Sequence, residues 1–339
     1  MLMTDVDIEA PESLTRYLHE AGRLSAGETP RCRVLQGGVS SKTVLVERAN
    51  GEAWVVKQAL EKLRVAADWF SSPLRIHHEA LGMLWLEKLA PKGSITPLVF
   101  EDETNHILAM QAVPQPHENW KSNLLAGRVD FAHVSAFGTL LGTIQREATA
   151  RASELAVTFE DRSFFESLRL EPYYGRAAER TPAAADFLAA LQAETRARRF
   201  TLVHGDYSPK NVLVYSGQLV LLDHEVVHWG DGAFDVGFAL AHLLSKAHHL
   251  SVHRETFAQA AQLFWESYRD ALGAGAAQVL EARAARHALG CLLARVEGCS
   301  PLEYLNAGER ARQGTVVVNL MRQPPVGVPE TILAFVKGL

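Results

Sequence analysis

Short apolar runs broken by polar turns fill the first third of the chain, and longer stretches with apolar residues at helical spacing fill most of the rest. Residues 8–22 predict a short helix, with Pro11 near its start and Gly22 at its end. Arg33-Val34-Leu35, Thr43 to Val46 and Ala53 to Lys57 predict three strands. Gln36-Gly37-Gly38-Val39-Ser40-Ser41 separates the first two, and Asn50-Gly51, a strong hairpin signal, separates the next two. Pro73 to Leu89 predicts a helix with Leu74, Leu81, Leu84 and Trp85 on its apolar stripe and Glu79 beside it. Ile95 to Phe100 and His106 to Val113 predict two more strands around the polar turn Glu101 to Asn105. Pro114-Gln115-Pro116 then reads as a linker.

Helical spacing resumes at Asp130 to Arg146, where Asp130 sits at a capping position. Residues 164–170, 183–199, 234–244, 257–272 and 278–296 predict further helices, with Gly273-Ala274-Gly275-Ala276 as a break. One stretch interrupts the series. Residues 202–237, LVHGDYSPKNVLVYSGQLVLLDHEVVHWGDGAFDVG, read as strand, loop, short strand, turn, strand, loop and helix start. Asp206, Asn211 and Asp223 fall at the ends of its short buried strands, where a rigid scaffold presents polar groups to a cleft.

Composition narrows the class without deciding it. A chain of 339 residues, 47% hydrophobic and 22% charged, is an ordinary globular protein of one large or two medium domains. A net charge of −5 argues against a nucleic-acid partner. No apolar run reaches the ~18 residues of a membrane span. The start, MLMTDVDIEAPESL, carries acids where a signal peptide has basic residues and an apolar core, so a cytoplasmic protein is expected. Cys32, Cys291 and Cys299 lack paired spacing and read as reduced thiols. The pairs His77-His78 and His248-His249 lack metal-ligand spacing.

The spacing D-x4-N, from Asp206 to Asn211, followed by Asp223, fits phosphoryl transfer from ATP. That chemistry needs one carboxylate to orient a hydroxyl and take its proton. It also needs an amide oxygen and a second carboxylate to hold Mg2+ against the phosphates. Asp206 is then the base, with Asn211 and Asp223 as metal ligands. The plainer alternative is a β-hairpin with polar ends. The stretch HGDYSPKN, then LVLLDHE, then GDGAFDVG resembles the aminoglycoside phosphotransferase and choline kinase superfamily of small-molecule kinases. Within it, the D-x-E triplet Asp223-His224-Glu225 and the helix start at Phe234 look most like methylthioribose kinase and its relatives. The resemblance runs from about Val34 to Tyr304 and is weakest in the helices that would bind substrate.

The resemblance implies an α+β, bilobal, protein-kinase-like fold. Residues 1–113 would form a small antiparallel-sheet lobe, with a hinge about 110–116, and residues 117–339 a larger helical lobe. Gly37, Gly38, Ser40 and Ser41 would approach the phosphates, although the family commonly has asparagine where Ser41 stands. Lys57 would reach the α- and β-phosphates with Glu79 as its partner, Glu87 being the competitor. Backbone around Met110 and Ala112 would meet the adenine edge. Asp235 resembles the aspartate that steadies the catalytic loop. Asp231 reads as a cap for the next helix. Glu225 is open between metal and acceptor. His228 and Trp229 follow the metal site closely and, with Arg295 from a late helix, make the expected acceptor wall; Trp120 is a further candidate to close over it.

A protein kinase fits less well. Gly205 stands where H-R-D has its arginine, no G-x-G-x-x-G loop is present, and Asp235 follows Asp223 too soon for an activation segment. The expected partner is a small molecule with a hydroxyl: a sugar such as methylthioribose, an amino alcohol or an aminoglycoside-like compound. The alternative from another class is a nucleotide-binding pseudokinase serving as a scaffold. Such a protein usually loses the base or a metal ligand, and this chain keeps Asp206, Asn211 and Asp223 together.

Overall fold

Side chains that alternate across a strand decide how the amino-terminal part packs. The computed structural model describes residues 6–36, 38–64 and 68–339, so Gly37, expected at the phosphates, lies outside the described residues. Helix α1 (Pro11–Glu20) is followed by β1 (Arg31–Val34), β2 (Ser41–Glu47), β3 (Ala53–Ala59), α2 (Arg75–Leu89), β4 (Leu98–Asp102) and β5 (Ile107–Gln111). The strands form one antiparallel sheet in the order β1-β2-β3-β5-β4. One face carries Val44, Val46, Trp54 and Val56, buried against Leu14 and Leu18 of α1. The other presents Val55 and Lys57, and packs through Leu108 and Met110 on Ile76, Ala80 and Met83 of α2.

The buried face of α2 differs from the expected stripe. Leu74 and Leu84 are exposed, at 57% and 44%, while Ile76, Glu79, Ala80, Met83 and Leu86 are buried. Leu81 and Trp85 are only partly buried, against the second lobe. The helix serves two partners at once, so its apolar residues do not line one stripe. Its rotation is fixed by the set Ile76, Ala80 and Met83, which carries Glu79 inward with it.

Past the hinge come β6 (Glu118–Asn119), α3 (Trp120–Leu125), α4 (Phe131–Thr149), α5 (Ala152–Thr158) and α6 (Ser163–Phe165). Asp130 caps α4, accepting from the Ala132 amide at 2.8 Å. Residues 164–170, expected as ordinary helix, belong mostly to a π-helix, Glu166–Gly175, with Pro172 inside it. Proline has no N–H to give to a regular helical turn, and wide turns of this kind are often found at functional sites. Helices α7 (Arg176–Arg180) and α8 (Ala185–Ala197) lead to the central stretch.

There β7 (Thr201–Val203), β8 (Val212–Tyr215), β9 (Gln218–Leu221) and β10 (His228–Gly230) form two small sheets, β7 with β10 and β6-β8-β9. The large core surrounds α9 (Ala233–His249), which lies among α10 (Arg254–Leu272), α11 (Ala274–Glu297), α12 (Ala307–Arg322) and α13 (Val328–Gly338). Gly273, at φ +104°, makes the expected break between α10 and α11. None of the helices among the described residues is long and apolar enough to cross a membrane. All three cysteines are free thiols.

Candidate active site

A cavity of about 790 Å³ separates the two lobes, and Lys57, Asp206, Asn211, Asp223 and Glu225 line it. From the sheet side comes Lys57 on β3. Its ammonium contacts both oxygens of Glu79, at 2.7 and 2.8 Å, and Asp223 Oδ1 at 2.9 Å. Glu79 is fully buried, and the competitor Glu87 is exposed. Burial alone would pull the Lys57 ammonium down, but Asp223 and Glu79 hold it well above its ordinary value. Burial pushes Glu79 up to about 7 against the pull of Lys57. Burial also works to raise Asp223, yet Lys57 outweighs it and holds that carboxylate well below the usual range. Contact to both Glu79 oxygens is the geometry of an ion pair, so Lys57 sits charged between two carboxylates.

From the helical side comes the loop after β7. Gly205 has φ +78°, and a Cβ there would lie 2.8 Å from Val226 Cγ2, so the turn that aims Asp206 admits glycine alone. Asp235, fully buried at the start of α9, accepts from the backbone amides of His204 at 2.7 Å and Gly205 at 2.8 Å. Burial lifts Asp235 to about 7, against those two donors. The His204 ring accepts the Asp206 amide at Nδ1, 3.2 Å away, and donates from Nε2 to His224 Nδ1 at 3.1 Å. Burial depresses both imidazoles, His204 to about 4, so the pair is neutral.

Asp206 Oδ2 accepts a hydrogen bond from Asn211 and is ion-paired to Arg169. Asn211 Nδ2 lies at 2.7 Å and Arg169 Nη2 at 2.9 Å. Oδ1 has no protein partner among the described residues. Arg169 also donates from Nε to the Gly205 carbonyl at 2.8 Å, so one guanidinium ties both the turn and the carboxylate. Asp223 adopts φ +66°, an uncommon conformation for a non-glycine residue; its Oδ2 and the Asn211 amide oxygen have no protein partner among the described residues, and both residues line the cavity. Among the described residues no three His, Cys, Asp or Glu side chains form a closed metal cage. Two free hard oxygens at the edge of a cleft instead suit a cation that takes the rest of its shell from phosphates and water.

Glu225 lines the cavity but is tied to Arg75, whose Nε lies 3.1 Å from Oε2. Arg75 is fully buried. It also donates to the carbonyls of Leu60 at 2.6 Å, Ser71 at 2.9 Å, Ser72 at 3.0 Å and Ser40. One side chain thus joins Glu225 to the loop between β1 and β2 and to the segment after β3. In that loop a Cβ on Gly38 would come 2.6 Å from the Ser41 carbonyl oxygen. Gly38, Ser40 and Ser41 all line the cavity, as do Met110 and Ala112 at the hinge. The Ala112 amide is already given to the Ala53 carbonyl at 2.9 Å, which leaves Ala112 its carbonyl.

The expected acceptor wall needs correction. His228 and Trp229 do not face the cleft. They lie on β10, paired with Val203 and Leu202, and are 1% and 4% exposed. His228 stacks on Phe165 with centroids 4.0 Å apart, and Trp229 is part of the large core. Closeness in sequence to Asp223 is cancelled by the strand, which carries the chain straight back into the lobe. Trp120 is likewise 1% exposed, edge-on to Phe137 in the core. Arg295 does line the cavity. Asp231, one residue before the N-cap Gly232 of α9, accepts from the Ala233 amide at 3.1 Å and also pairs with Arg283 at 2.6 Å. Arg75 and Arg169 were not singled out, because their partners lie far away in the chain and no local pattern marks them.

Comparison with curated protein sequences finds no match. Solved structures match across nearly the whole chain. A protein of Thermobifida fusca assigned as a fructosamine-3-kinase is 20% identical, over 93% of this chain and 98% of its own, with a TM-score of 0.53. A macrolide 2'-phosphotransferase of Brachybacterium faecium is 16% identical over 91% and 98%, with a TM-score of 0.52. An amicoumacin kinase, solved with AMP-PNP and Ca2+, is 13% identical over 94% and 96%, with a TM-score of 0.58. At such identities these likenesses show the fold. The model of the phosphotransferase enzyme family matches residues 31–285, which spans β1 through the first half of α11 and every cleft residue described above except Arg295. With that match over most of its length, the chain belongs to the phosphotransferase enzyme family.

Proposed function

We propose that the chain transfers the γ-phosphoryl group of ATP to a hydroxyl of a small molecule, with residues 1–113 as nucleotide lobe and 117–339 as catalytic lobe. One observation carries this reading: Lys57, held between Glu79 and Asp223, faces the same cleft as an Asp206 carboxylate fixed by Asn211 and Arg169. Leu35, Val55, Met110, Leu213 and Leu222 give the cavity apolar walls suited to a purine beside the hinge. Mg2+ supplies charge neutralisation at the phosphates when bound, and Asp223 and Asn211 are the residues that would hold it. Glu225, paired with Arg75, is assigned to holding the phosphate loop.

In the transfer, the acceptor oxygen bonds to the γ-phosphorus as its bond to the β,γ-bridging oxygen breaks. ADP leaves, and the acceptor proton passes to Asp206 Oδ1. Donors at Oδ2 turn Oδ1 toward the acceptor, and orientation is most of what such a loose transition state asks of a base. No observation in the cleft favours a scaffold without catalysis, since every polar group of the transfer is present.

The two aspartates should fail differently. Asp206→Asn should lower turnover by about 10²- to 10⁴-fold while Mg2+-dependent ATP binding persists. Asp223→Asn should weaken that binding itself, because it removes a carboxylate from a hard cation. Calorimetric ATP binding alongside a coupled ADP assay separates the two. Wild-type turnover in Asp206→Asn would overturn the assignment of the base.

A further inference from the structure

Beyond Asp206 the cleft continues to an end walled by Arg169, Tyr173, His242, Arg295 and Ser300. Tyr173 acts as the spacer. The Arg169 guanidinium lies 5.7 Å from its ring centroid and the Arg295 guanidinium 5.6 Å. Since Arg169 also holds Asp206, Arg295 lies one tyrosine ring beyond the attacking position, within reach of a small molecule seated there.

Positive charge is in excess at this end. Arg295 is 8% exposed, and its Nη1 donates to the neutral hydroxyls of Tyr173, at 2.9 Å, and Ser300, at 3.4 Å. Its Nε is buried without a partner. One helical turn past His242, the fully buried Lys246 ammonium donates to the His242 carbonyl at 3.1 Å and lies 5.5 Å from the Tyr304 ring centroid. Among the described residues no carboxylate pairs with Arg295 or Lys246; the nearby Glu303 is taken by Lys121. The His242 ring lines the cavity, 4% exposed, with Nε2 unpartnered. Burial pulls Lys246 down to about 7, and Lys121 and Arg295 push it the same way. Buried cations are normally paired, and a guanidinium with an unpartnered Nε next to an open imidazole at one cavity end, with Lys246 one helical turn behind, leaves room for a missing anion.

We propose that this end of the cleft is an oxyanion subsite, so that the acceptor is a small hydroxylated molecule carrying a carboxylate or phosphate ester, held by Arg295 and His242 in the field of Lys246. This inference rests on the phosphotransfer reading and names its substrate class. A guanidinium fork matches either oxyanion by two parallel hydrogen bonds. The same field repels cations, so aminoglycosides and amino alcohols are poor acceptors here.

The test compares matched acceptors with ATP and Mg2+: glycerol, glycerate and glycerol 3-phosphate; ribose, ribonate and ribose 5-phosphate; ethanolamine and an aminoglycoside. Within a matched set the anionic member should have a kcat/KM roughly 10- to 100-fold above its neutral counterpart. Which anion leads separates carboxylate from phosphate ester. Arg295→Ala should abolish most of that preference by raising the acceptor KM, and Arg295→Lys should restore part of it. Thermal shift with glycerate and with glycerol 3-phosphate reads binding without turnover. Preference for a neutral or cationic acceptor would overturn the subsite, as would a preference untouched in Arg295→Ala. So would the absence of both anionic turnover and anionic stabilisation. Failure of the phosphotransfer reading shows separately, as absence of Mg2+-dependent ATP binding.

Discussion

Single side chains set the chemistry here, and they were unequally visible in the sequence. Lys57, Asp206, Asn211 and Asp223 could be read because short-range spacing encodes them: a strand end, a tight loop, a hairpin. Arg169 could not be read, since its contact to the Asp206 turn spans 36 residues of chain and its own segment is a π-helix. His228 and Trp229 were misread because distance along the chain was taken for distance in space, and β10 buries both. The role given to Arg169 is directly checkable. Arg169→Met frees the Asp206 carboxylate to rotate, and small misplacements of a reacting group cost on the order of 10²-fold in rate. Its kcat should fall by about that factor with the ATP KM little changed. A variant with wild-type kcat would show that Asn211 alone orients the base.

At the scale of elements, the strands and most helices followed from hydrophobic spacing, and errors arose where an element serves two partners. Helix α2 packs on the sheet through one side and on the second lobe through Leu81 and Trp85, so its periodicity points to no single face. The loop between β1 and β2 is a related case. Its Gly-Gly-Val-Ser-Ser sequence reads as a glycine turn open to a phosphate, and nothing in it shows that Arg75 fastens the Ser40 carbonyl, with that of Leu60, to Glu225. Arg75→Met should destabilise the fold by about 3–5 kcal/mol, because it leaves the Glu225 carboxylate buried and unpaired. The double variant Arg75→Met/Glu225→Gln should recover part of the loss. Urea midpoints read both, and a double variant no more stable than the single would mean that the lost backbone contacts matter more than the charge.

For the whole molecule, the two-lobe plan was legible from a sheet-rich first third followed by helices, and the burial of so many polar groups was not. His204, His228 and His287 are depressed to about 4, 3 and 4, with burial the leading cause. An imidazole that binds its proton more weakly in the folded state stabilises the fold above its ordinary value near 6.5, and that stability is lost as pH falls through the window below. Asp235, raised to about 7, acts in the opposite sense, so the check is a difference. Relative to wild type, His228→Phe, which keeps a ring against Phe165, should gain stability as pH drops from about 6.5 to 4, by up to ~1.4 kcal/mol per pH unit. A pH-independent difference in melting temperature would show that His228 binds its proton as readily in the fold as in the unfolded chain. The lobes also meet away from the hinge. Trp69, in the segment between β3 and α2, donates from its indole to the Ser167 carbonyl at 2.9 Å, and Leu63 packs with Leu168 and Val226. Together with Arg75–Glu225, Lys57–Asp223 and the packing of Leu81 and Trp85, these contacts fasten the lobes at several places besides the hinge. Opening the cleft on the side of Trp69 therefore first has to unclip an indole from a carbonyl.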